Sequence, residues 1–384
     1  MISSYYITDY VKSQGDAMNF THLSPLGEAL DLWGYLQSTD KKIVMYGMGN
    51  GADKILDVCQ KYSITVSDFF ASDSFVRGHS FHGKIVLSYT QIKEKYGADN
   101  IIVLLSFASC LPDVLSNIKR ISEECELYAP DVPVCGDRLF TLDFARAHQS
   151  QLSAAYSLLA DEESRHIFEN TVAYKLTGKI DFLFDAESDK DSVYNDLLHA
   201  KSIVSYADLG AYNGDTIREL MLYAPSLATV TAFEPDRRSF RKLTEFCNTL
   251  GDTPNIRTVN AAAWNTDATL VFGDEGNRNS GLFARGKSVE VAATSLDNVL
   301  DGEDVDYIKY DVEGCEKQAI EGSEKTILRH TPKLLISIYH RSEDIFALPL
   351  QISAMCGDYR LYLRRYPYIP AWDLNLICVR KNDR

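Results

Sequence analysis

The residues of this chain that point most clearly to a ligand-binding site lie in the stretch 208–216, with the sequence Asp-Leu-Gly-Ala-Tyr-Asn-Gly-Asp-Thr. An apolar run precedes it and a helix-like segment, 217–223, follows it, so the sequence predicts a strand, a tight turn and a helix start. Gly210 and Gly214 carry no Cβ and let the backbone pass close to a ligand, and the helix start offers free backbone N–H groups. The turn lacks the G-x-G-x-x-G spacing of dinucleotide sites, and Asp215 would repel a pyrophosphate.

An acidic residue, Glu234, follows the next apolar run. It comes about twenty residues after the glycine turn, where nucleotide-binding α/β folds place an acid on the ribose hydroxyls. The turn and the acid together favour a nucleoside ligand without phosphates, of which S-adenosylmethionine is the common one.

More polar residues follow later apolar runs. Asp311 and Glu313 come after one predicted strand, and His340 comes after another. Ligands of α/β sheets bind outside the carboxyl ends of the strands, so we expect these side chains to converge with the acids of the first two strands. A single charged strand end is often only a solvated turn, but four together favour a site.

These residues require α/β elements to position them. The N-terminal part predicts a small Rossmann-like α/β domain over residues 1–140, because strands alternate with helical segments. Its first strand enters the motif Gly47-x-Gly49-x-x-Ala52, and its strands are predicted at 42–46, 64–66, 85–87 and 101–105.

A helical bridge is predicted over residues 141–200, where apolar residues recur at helical spacing and Asp161 could begin a helix. Residues 201–384 predict a second, larger α/β domain. After Glu234 we expect a helix at 238–250, a short strand at 256–259, a polar glycine-rich stretch at 273–286, strands at 307–310 and 333–339, and an antiparallel pair at 359–363 and 375–379.

Composition limits the partners. The formal net charge of −15 argues against a nucleic-acid surface, which needs clustered Lys and Arg. No apolar run approaches the ~20 residues of a membrane span, and residues 1–6 lack the pattern of a signal peptide. The eight cysteines form no Cys-x-x-Cys pair, so we expect free thiols and a cytoplasmic location.

The third region resembles the FkbM family of S-adenosylmethionine-dependent methyltransferases. The resemblance covers about 170 residues in the family's order and spacing. The motifs that carry it are Asp208–Thr216, Phe233–Pro235, Asn260–Trp264, Ala293–Asp297, Ile308–Glu316 and Ser337–His340. The bridge, at 157–164, also resembles larger members that carry an N-terminal Rossmann-like domain. The resemblance implies a class I methyltransferase sheet of seven strands, one of them antiparallel.

The resemblance also implies roles in binding the cofactor. The glycine turn would lie against the methionine part, Asp208 or Asp215 would pair with its amino group, and Glu234 would bind the ribose. Trp264 falls in the family's adenine pocket, although a core aromatic is an equal alternative. The residues predicted to bind the cofactor are Asp208, Gly210, Tyr212, Gly214, Asp215, Thr216, Glu234, Ala263, Trp264 and Asp311.

Methyl transfer to a hydroxyl benefits from a base, and His340 is the predicted base. Asp311 and Glu313 are the other predicted catalytic residues. A Mg²⁺ ion could bridge them to vicinal sugar hydroxyls; alternatively, Asp311 contacts His340 or the cofactor and Glu313 binds substrate. No metal ligand is assigned.

The chain departs from the family pattern after its sixth strand, where it has Arg364 and Arg365. These arginines could bind an anionic acceptor or be solvated. The N-terminal motif could bind NAD, with Asp73 on the ribose, or a nucleotide sugar, or serve only packing or formation of a homodimer.

The leading hypothesis is O-methylation of a sugar in a polysaccharide or glycosylated metabolite, which is a small-molecule or glycan acceptor. The alternatives are a two-cofactor enzyme with an NAD- or nucleotide-sugar-binding N-terminal domain, and a non-catalytic module that binds S-adenosylmethionine.

Overall fold

The computed structural model of the protein describes residues 31–73, 78–251, 254–274 and 287–381. The N-terminal residues 1–6 and most of the predicted glycine-rich stretch, 275–286, lie outside the described residues. Within the described ranges, no helix combines the length and the apolar character needed to cross a membrane.

The first α/β unit is built on a five-stranded parallel sheet in the order β5-β2-β1-β6-β7. Its strands are β1 Lys42–Tyr46, β2 Val66–Ala71, β3 Ser80–Phe81, β4 Lys84–Ile85, β5 Leu87–Ser88, β6 Ile101–Leu105 and β7 Glu126–Tyr128. Its helices are α1 Leu32–Ser38, α2 Asn50–Lys61, α3 Tyr89–Tyr96 and α4 Pro112–Glu124. We refer to residues 31–128 as the N-terminal unit.

Two strands of this unit lie elsewhere than the sequence predicted. The strand predicted at 64–66 is longer in the structure, where β2 continues to Ala71 and includes the buried Asp68. Asp68 fits inside a strand because Lys95 Nζ donates to its Oδ2 at 2.8 Å. The strand expected at 85–87 is divided between β4 and β5.

The middle of the chain is helical, with a long buried helix at its centre. The helices are α5 Leu142–Ala147, α6 Gln149–Ser157, α7 Glu162–Thr177, α8 Asp181–Phe184 and α9 Lys190–Ser192, followed by a π-helical turn, Val193–Leu197. As predicted, Asp161 caps α7, accepting the Ser164 N–H at 2.8 Å. Phe168 of α7 packs in the core of the C-terminal sheet and Tyr174 in that of the N-terminal unit, so this helix joins the two cores.

The C-terminal sheet has seven strands in the order β10-β9-β8-β14-β15-β17-β16. Only β17 runs antiparallel, pairing with both β15 and β16, so the predicted sheet of seven strands with one antiparallel is confirmed. Its strands are β8 Ser205–Leu209, β9 Thr229–Phe233, β10 Asn255–Val259, β14 Tyr307–Tyr310, β15 Lys333–Ser337, β16 Tyr359–Arg365 and β17 Leu374–Arg380; a smaller sheet holds β11 Ala262–Ala263, β12 Ala268–Asp274 and β13 Lys287–Thr294.

Helices cover both faces of this sheet, as its parallel strands require. They are α10 Asp215–Tyr223, α11 Arg237–Asn248, α12 Leu296–Leu300, α13 Glu316–Glu321, α14 Glu324–His330 and α15 Asp344–Met355. The central strands are in register, with Leu209 beside both Phe233 and Tyr310. The loops after β8, β9 and β14 therefore leave the sheet at the same edge, which we call the carboxyl edge.

Candidate active site

The turn after β8 depends on its glycines. Gly210 has a φ of +94°, and a Cβ at this position would lie 1.9 Å from the Asp311 carbonyl oxygen. Gly214, with a φ of +82°, precedes α10, and a Cβ there would lie 2.3 Å from the Phe246 ring. Only glycine fits these backbone conformations without strain, so the turn closes tightly over the loop that follows β14.

Asp208 lies beneath this turn rather than at its surface. The side chain is fully buried, the Thr216 hydroxyl donates to Oδ2, and Lys309 Nζ lies 3.7 Å from Oδ1. Burial raises the pKa of Asp208, while Lys309 and Thr216 oppose the rise. The structure thus gives Asp208 the role of holding the start of α10 against β14.

Glu234 follows β9 with its side chain almost completely buried. Its Oε1 accepts the Asp236 N–H at 2.8 Å, and Asn260 Nδ2 donates to its carbonyl oxygen at 2.9 Å. Burial raises the pKa of Glu234 to about 8, against the backbone N–H of Asp236, which lowers it. A carboxylate held in this way is poised to accept hydrogen bonds from a ligand that displaces its proton.

A cavity of about 320 Å³ opens at the carboxyl edge. The strand order β10-β9-β8-β14-β15-β17-β16 divides the residues that line the cavity between two ends. Gly210, Tyr212, Asp215, Thr216 and Glu234 come from the segments that follow β8 and β9, at one end. Ala262, Ala263 and Pro235 lie at the same end, where the predicted adenine pocket falls; the other end is lined by Asp311, Glu313, Tyr339, Tyr366, Tyr368, Trp372 and Asp373. The structure therefore brings most of the predicted site residues to one cavity.

Trp264 is not among the described residues that line the cavity. Trp264 is half-buried. Its backbone N–H donates to the Thr294 carbonyl at 2.9 Å, and its backbone carbonyl oxygen packs against Gly322. Its main chain extends the small β11–β13 sheet, so the structure does not bring Trp264 to the predicted adenine pocket.

Asp311 and Lys309 form an ion pair at the end of β14. Lys309 Nζ lies 3.3 Å from Asp311 Oδ2, and the Tyr339 hydroxyl donates to Asp311 Oδ1 at 3.3 Å. Burial alone would raise the pKa of Asp311, but Lys309 and His340 hold it below its usual value. Burial likewise opposes the charge of Lys309, whose pKa is nevertheless raised by the carboxylates of Asp311 and Asp208. Asp311 is therefore ionised near neutral pH.

Glu313 lines the cavity from a left-handed backbone conformation, with a φ of +51°. Such a conformation is uncommon for a residue with a side chain, and Tyr212 and Asp373, which also line the cavity, share it. The Cys135 thiol fixes it by donating to the Glu313 carbonyl at 3.0 Å. Burial raises the pKa of the Glu313 carboxyl to about 7, although His340 lowers it. Glu313 can therefore exchange a proton near neutral pH.

His340 is completely buried and is not among the described residues that line the cavity. Its Nδ1 lies 2.8 Å from Glu316 Oε1, and its Nε2 lies 3.6 Å from both Asp311 Oδ1 and Glu313 Oε2. Burial lowers its pKa, but these three carboxylates outweigh burial and raise the pKa to about 10. The geometry argues against the predicted role of His340 as base, because a buried imidazolium has no proton acceptor to offer.

Within the described residues, the His, Cys, Asp and Glu side chains close enough together to hold a metal ion are Asp311, Glu316 and His340. Glu316 Oε1 is already engaged, accepting the Val312 N–H at 3.0 Å and facing His340. The grouping leaves out Glu313, so it does not provide the predicted Mg²⁺ bridge between Asp311 and Glu313. Its contacts are those of a buried ion-pair network.

The two arginines, expected after the sixth strand, are the last residues of β16 and do not face an acceptor. Arg364 Nη2 donates to Asp161 Oδ2 at 2.6 Å, fastening β16 to the cap of α7. Arg365 is fully buried and donates to the Leu183 and Tyr368 carbonyls. The suggestion that they bind an anionic acceptor or are solvated is therefore wrong, because both are consumed in joining the helical bridge to the sheet.

In the glycine turn of the N-terminal unit, Gly47 and Gly51 are used for packing, whereas the space beside Gly49 is open. A Cβ on Gly47 would lie 2.6 Å from the Phe107 ring, and one on Gly51 would lie 2.2 Å from the Ser106 carbonyl oxygen. Asp73 accepts the Tyr89 N–H at 3.0 Å and the Thr90 hydroxyl at 3.0 Å, both at the start of α3. The residue predicted to hold a ribose therefore already has two partners within the protein.

The sequence-based prediction missed several residues at this site. Lys309 lies inside a strand, and Cys135 comes from a distant loop. Tyr368 and Trp372 line the cavity but belong to none of the motifs named above, whereas Tyr339 lies in the motif Ser337–His340 without having been given a role. The only available signal was the aromatic residue beside His340.

Comparison with known proteins agrees with this fold. Residues 208–370 match the family described as the methyltransferase FkbM domain. No match was found among curated proteins. Among solved structures, the chain is similar to methyltransferase FkbM from Methylobacillus flagellatus KT, with a TM-score of 0.68 and 18% identity over 98% of each chain. At this identity the likeness shows a shared fold over the full length of both chains.

Two other solved structures match about half of the chain. An rRNA methylase from Streptococcus thermophilus has a TM-score of 0.35 and 16% identity, covering 50% of this chain and 97% of its own. The fibrillarin pre-rRNA processing protein of Methanococcus jannaschii has a TM-score of 0.32 and 16% identity, and the match covers 48% of this chain and 69% of the fibrillarin chain. These scores are too low to support an argument about substrate.

Proposed function

We propose that this chain, whose residues 208–370 form a methyltransferase FkbM domain, uses S-adenosylmethionine to methylate a hydroxyl of a sugar in a polysaccharide or glycosylated metabolite. The observation that carries the donor assignment is the buried Glu234 carboxyl, which opens onto the same cavity as the glycine turn. The choice of a sugar rests on resemblance to the family. It is tested separately from the donor.

The cavity fits the donor at one end. Glu234 would accept hydrogen bonds from the ribose hydroxyls. The Asp236 N–H, which donates to Oε1, holds the carboxyl in place for this contact. The turn from Gly210 to Gly214 would lie against the methionine part, with Asp215 as the carboxylate nearest its amino group. Asp215 and Asp236 also make this end unfavourable for phosphates, which favours a nucleoside over a dinucleotide.

S-adenosylmethionine, when bound, supplies an electrophilic methyl group on a cationic sulfonium. The protein must then hold the acceptor hydroxyl in line and remove its proton. We assign proton removal to Glu313, because its carboxyl lines the cavity and its pKa of about 7 lets it accept a proton near neutral pH. The acceptor oxygen loses its proton to Glu313 as it attacks.

His340 acts through its neighbours in this proposal. The imidazolium lies 3.6 Å from Glu313 Oε2 and from Asp311 Oδ1, so it holds both carboxylates at the cavity wall. Glu316 holds the other ring nitrogen. His340 is therefore a positioning residue, and no metal ion is needed to hold the two acids together.

Glu313→Gln tests the assignment of the base. The amide keeps the size of the side chain but cannot take a proton, so kcat should fall by about 10²–10⁴-fold while the Kd for S-adenosylhomocysteine stays unchanged. His340→Gln, by contrast, should lower kcat and also shift the pH profile, because Glu313 loses its positive neighbour. Full activity in Glu313→Gln would contradict the assignment.

The alternatives make different predictions. A non-catalytic module would bind S-adenosylhomocysteine but transfer no methyl group to any acceptor. A two-cofactor enzyme would bind NAD or a nucleotide sugar at the Gly47 turn, where Phe107 and Ser106 pack against Gly47 but the space beside Gly49 is open. Binding of NAD or UDP-glucose by the full chain, lost in Gly49→Val, would favour the two-cofactor enzyme.

The cellular setting completes the proposal. All eight cysteines are free thiols, which suits a reducing compartment, and we place the reaction in the cytoplasm. The acceptor is a small molecule or glycan rather than a nucleic acid, in keeping with the net charge of −15. The N-terminal unit could also support a homodimer, which sedimentation of the purified chain would test.

A further inference from the structure

We propose that Tyr339, Trp372 and Tyr368 form an acceptor platform that selects an uncharged, polyhydroxylated ring such as a pyranose. The inference rests on the proposed methyltransferase function and adds which sugars the site accepts. All three side chains line the end of the cavity away from Glu234. None of them was assigned a role by the sequence.

The three rings lie nearly parallel. The Tyr339 and Trp372 ring centroids are 6.4 Å apart with 24° between the planes, and those of Tyr368 and Trp372 are 5.8 Å apart with 26°. All three residues are half-buried and line the cavity, so part of each aromatic surface is open to a ligand there. An ammonium ligand is instead recognised by rings that surround it, so this arrangement favours the apolar C–H face of a sugar ring.

Carboxylates stand beside the platform. Asp311 and Glu313 line the same end of the cavity, and Asp311 Oδ1 accepts the Tyr339 hydroxyl at 3.3 Å. Asp373, next to Trp372 in the chain, lines it as well. Carboxylates accept hydrogen bonds from hydroxyl groups, so a ring stacked on the platform would place its hydroxyls toward Asp311 and toward the proposed base, Glu313.

Charge excludes anionic acceptors. Among the described residues that line the cavity, the basic side chains are Lys190 and Lys309. Lys190 Nζ lies 2.7 Å from Glu219 Oε1, and Lys309 is paired with Asp311 and Asp208. A carboxylate or phosphate on the acceptor would therefore meet no free cation and would be repelled by the acids beside the platform.

The N-terminal unit holds the platform in place. Ser109, in the loop after β6, exchanges two backbone hydrogen bonds with Ile369, of 2.8 and 3.0 Å. The Ile369 side chain is buried in the core that the N-terminal sheet shares with α7, and Arg365 donates to the Tyr368 carbonyl. The loop that carries Tyr368 and Trp372 is thus anchored on the unit without an assigned ligand, which gives that unit a role in acceptor binding.

The test compares two glycosides that differ in a single group. Saturation-transfer NMR is recorded with methyl β-D-glucopyranoside and with methyl β-D-glucuronide, with and without S-adenosylhomocysteine. The neutral glycoside should receive saturation at its ring C–H protons, and the glucuronide should receive at least about fivefold less, because it lacks a cation to pair with. Methyl 2-amino-2-deoxy-β-D-glucopyranoside should not exceed the neutral glycoside.

Trp372→Ala should reduce the signal of the neutral glycoside by about fivefold or more, which corresponds to the binding free energy of one stacking contact. Trp372→Phe should retain most of the signal. Both variants should keep the wild-type affinity for S-adenosylhomocysteine, which shows that they are folded. Tyr362→Ala is the matched control, because Tyr362 is a half-buried aromatic of β16 that packs in the neighbouring core.

An equal signal from the glucuronide, an unchanged signal in Trp372→Ala, or no signal from the neutral glycoside with wild type would overturn the platform. Failure of S-adenosylhomocysteine to bind wild type would refute the proposed function instead. The glycoside spectra recorded without it would still decide on the platform.

Discussion

We expect the carboxyl of Glu234 to make cofactor binding depend on pH. Its pKa is raised to about 8 because the side chain is buried, so in the ligand-free protein at pH 7 it is mostly protonated. A ribose that needs both carboxylate oxygens as acceptors must displace this proton. If only the ionised form binds, the observed Kd is multiplied by about 1 + 10^(8 − pH), and each pH unit well below the pKa costs about 1.4 kcal/mol of binding free energy.

The expected change is large enough to measure. From pH 8.5 to pH 6.0 the factor rises from about 1.3 to about 100, so the Kd for S-adenosylhomocysteine should increase by about 75-fold. Isothermal titration calorimetry across this range measures the Kd, and repeating it in buffers of different ionisation enthalpy counts the released proton. Binding near pH 7 should release almost one proton.

Glu234→Gln should remove the pH dependence. The amide cannot ionise, so its Kd should stay flat from pH 6.0 to 8.5, and at pH 8.5 it should be about 10- to 100-fold weaker than wild type, because hydrogen bonds to a charged group are worth ~1.5–3 kcal/mol. Glu245→Gln, an exposed acid on α11, is the matched control and should behave as wild type. A Glu234→Gln variant that keeps the wild-type pH dependence would refute the reasoning.

Four further predictions concern catalysis and stability. At saturating S-adenosylmethionine, where Glu234 is already ionised in the complex, the wild-type kcat/KM for the acceptor should fall tenfold per pH unit below about 7, as Glu313 becomes protonated. This limb should vanish from the residual activity of Glu313→Gln. Gly210→Ala should lose cofactor binding and lower the free energy of unfolding by about 1–3 kcal/mol or more, since φ is +94° and the new Cβ meets a carbonyl oxygen. Calorimetric titration measures the loss of binding, and denaturant titration measures the loss of stability. Arg365→Met should cost about 2–4 kcal/mol in the same unfolding assay, because two buried carbonyl groups lose their donors. Methyl transfer should continue in EDTA, and a loss restored by Mg²⁺ would contradict the ion-pair network around His340.

The elements that depend on local sequence could be predicted. The turn from Gly210 to Gly214 follows from glycine spacing after an apolar run, and the start of α7 follows from an acidic cap at Asp161. The antiparallel pair of β16 and β17 was predicted from the residues themselves, and the sheet of seven strands came from the family resemblance. In each case the signal lies within a few residues of the feature, or in a motif order shared with a family.

The rest depends on contacts between distant parts of the chain. His340 follows a strand, as a catalytic base could, but only the packing of Glu316 and Glu313 around it shows a buried imidazolium. Trp264 has the predicted position in sequence but is not among the described residues that line the cavity. Tyr368 and Trp372 reach the cavity because their loop is tied to an N-terminal segment more than two hundred residues earlier, which no local pattern could reveal.

The most direct test of the central claim is a crystal structure of the protein with S-adenosylhomocysteine. The account predicts both ribose hydroxyls on the Glu234 carboxylate, the methionine part against the turn from Gly210 to Gly214, and the sulfur facing the end of the cavity that holds Glu313. A ligand bound elsewhere, or a ribose that does not contact Glu234, would contradict it.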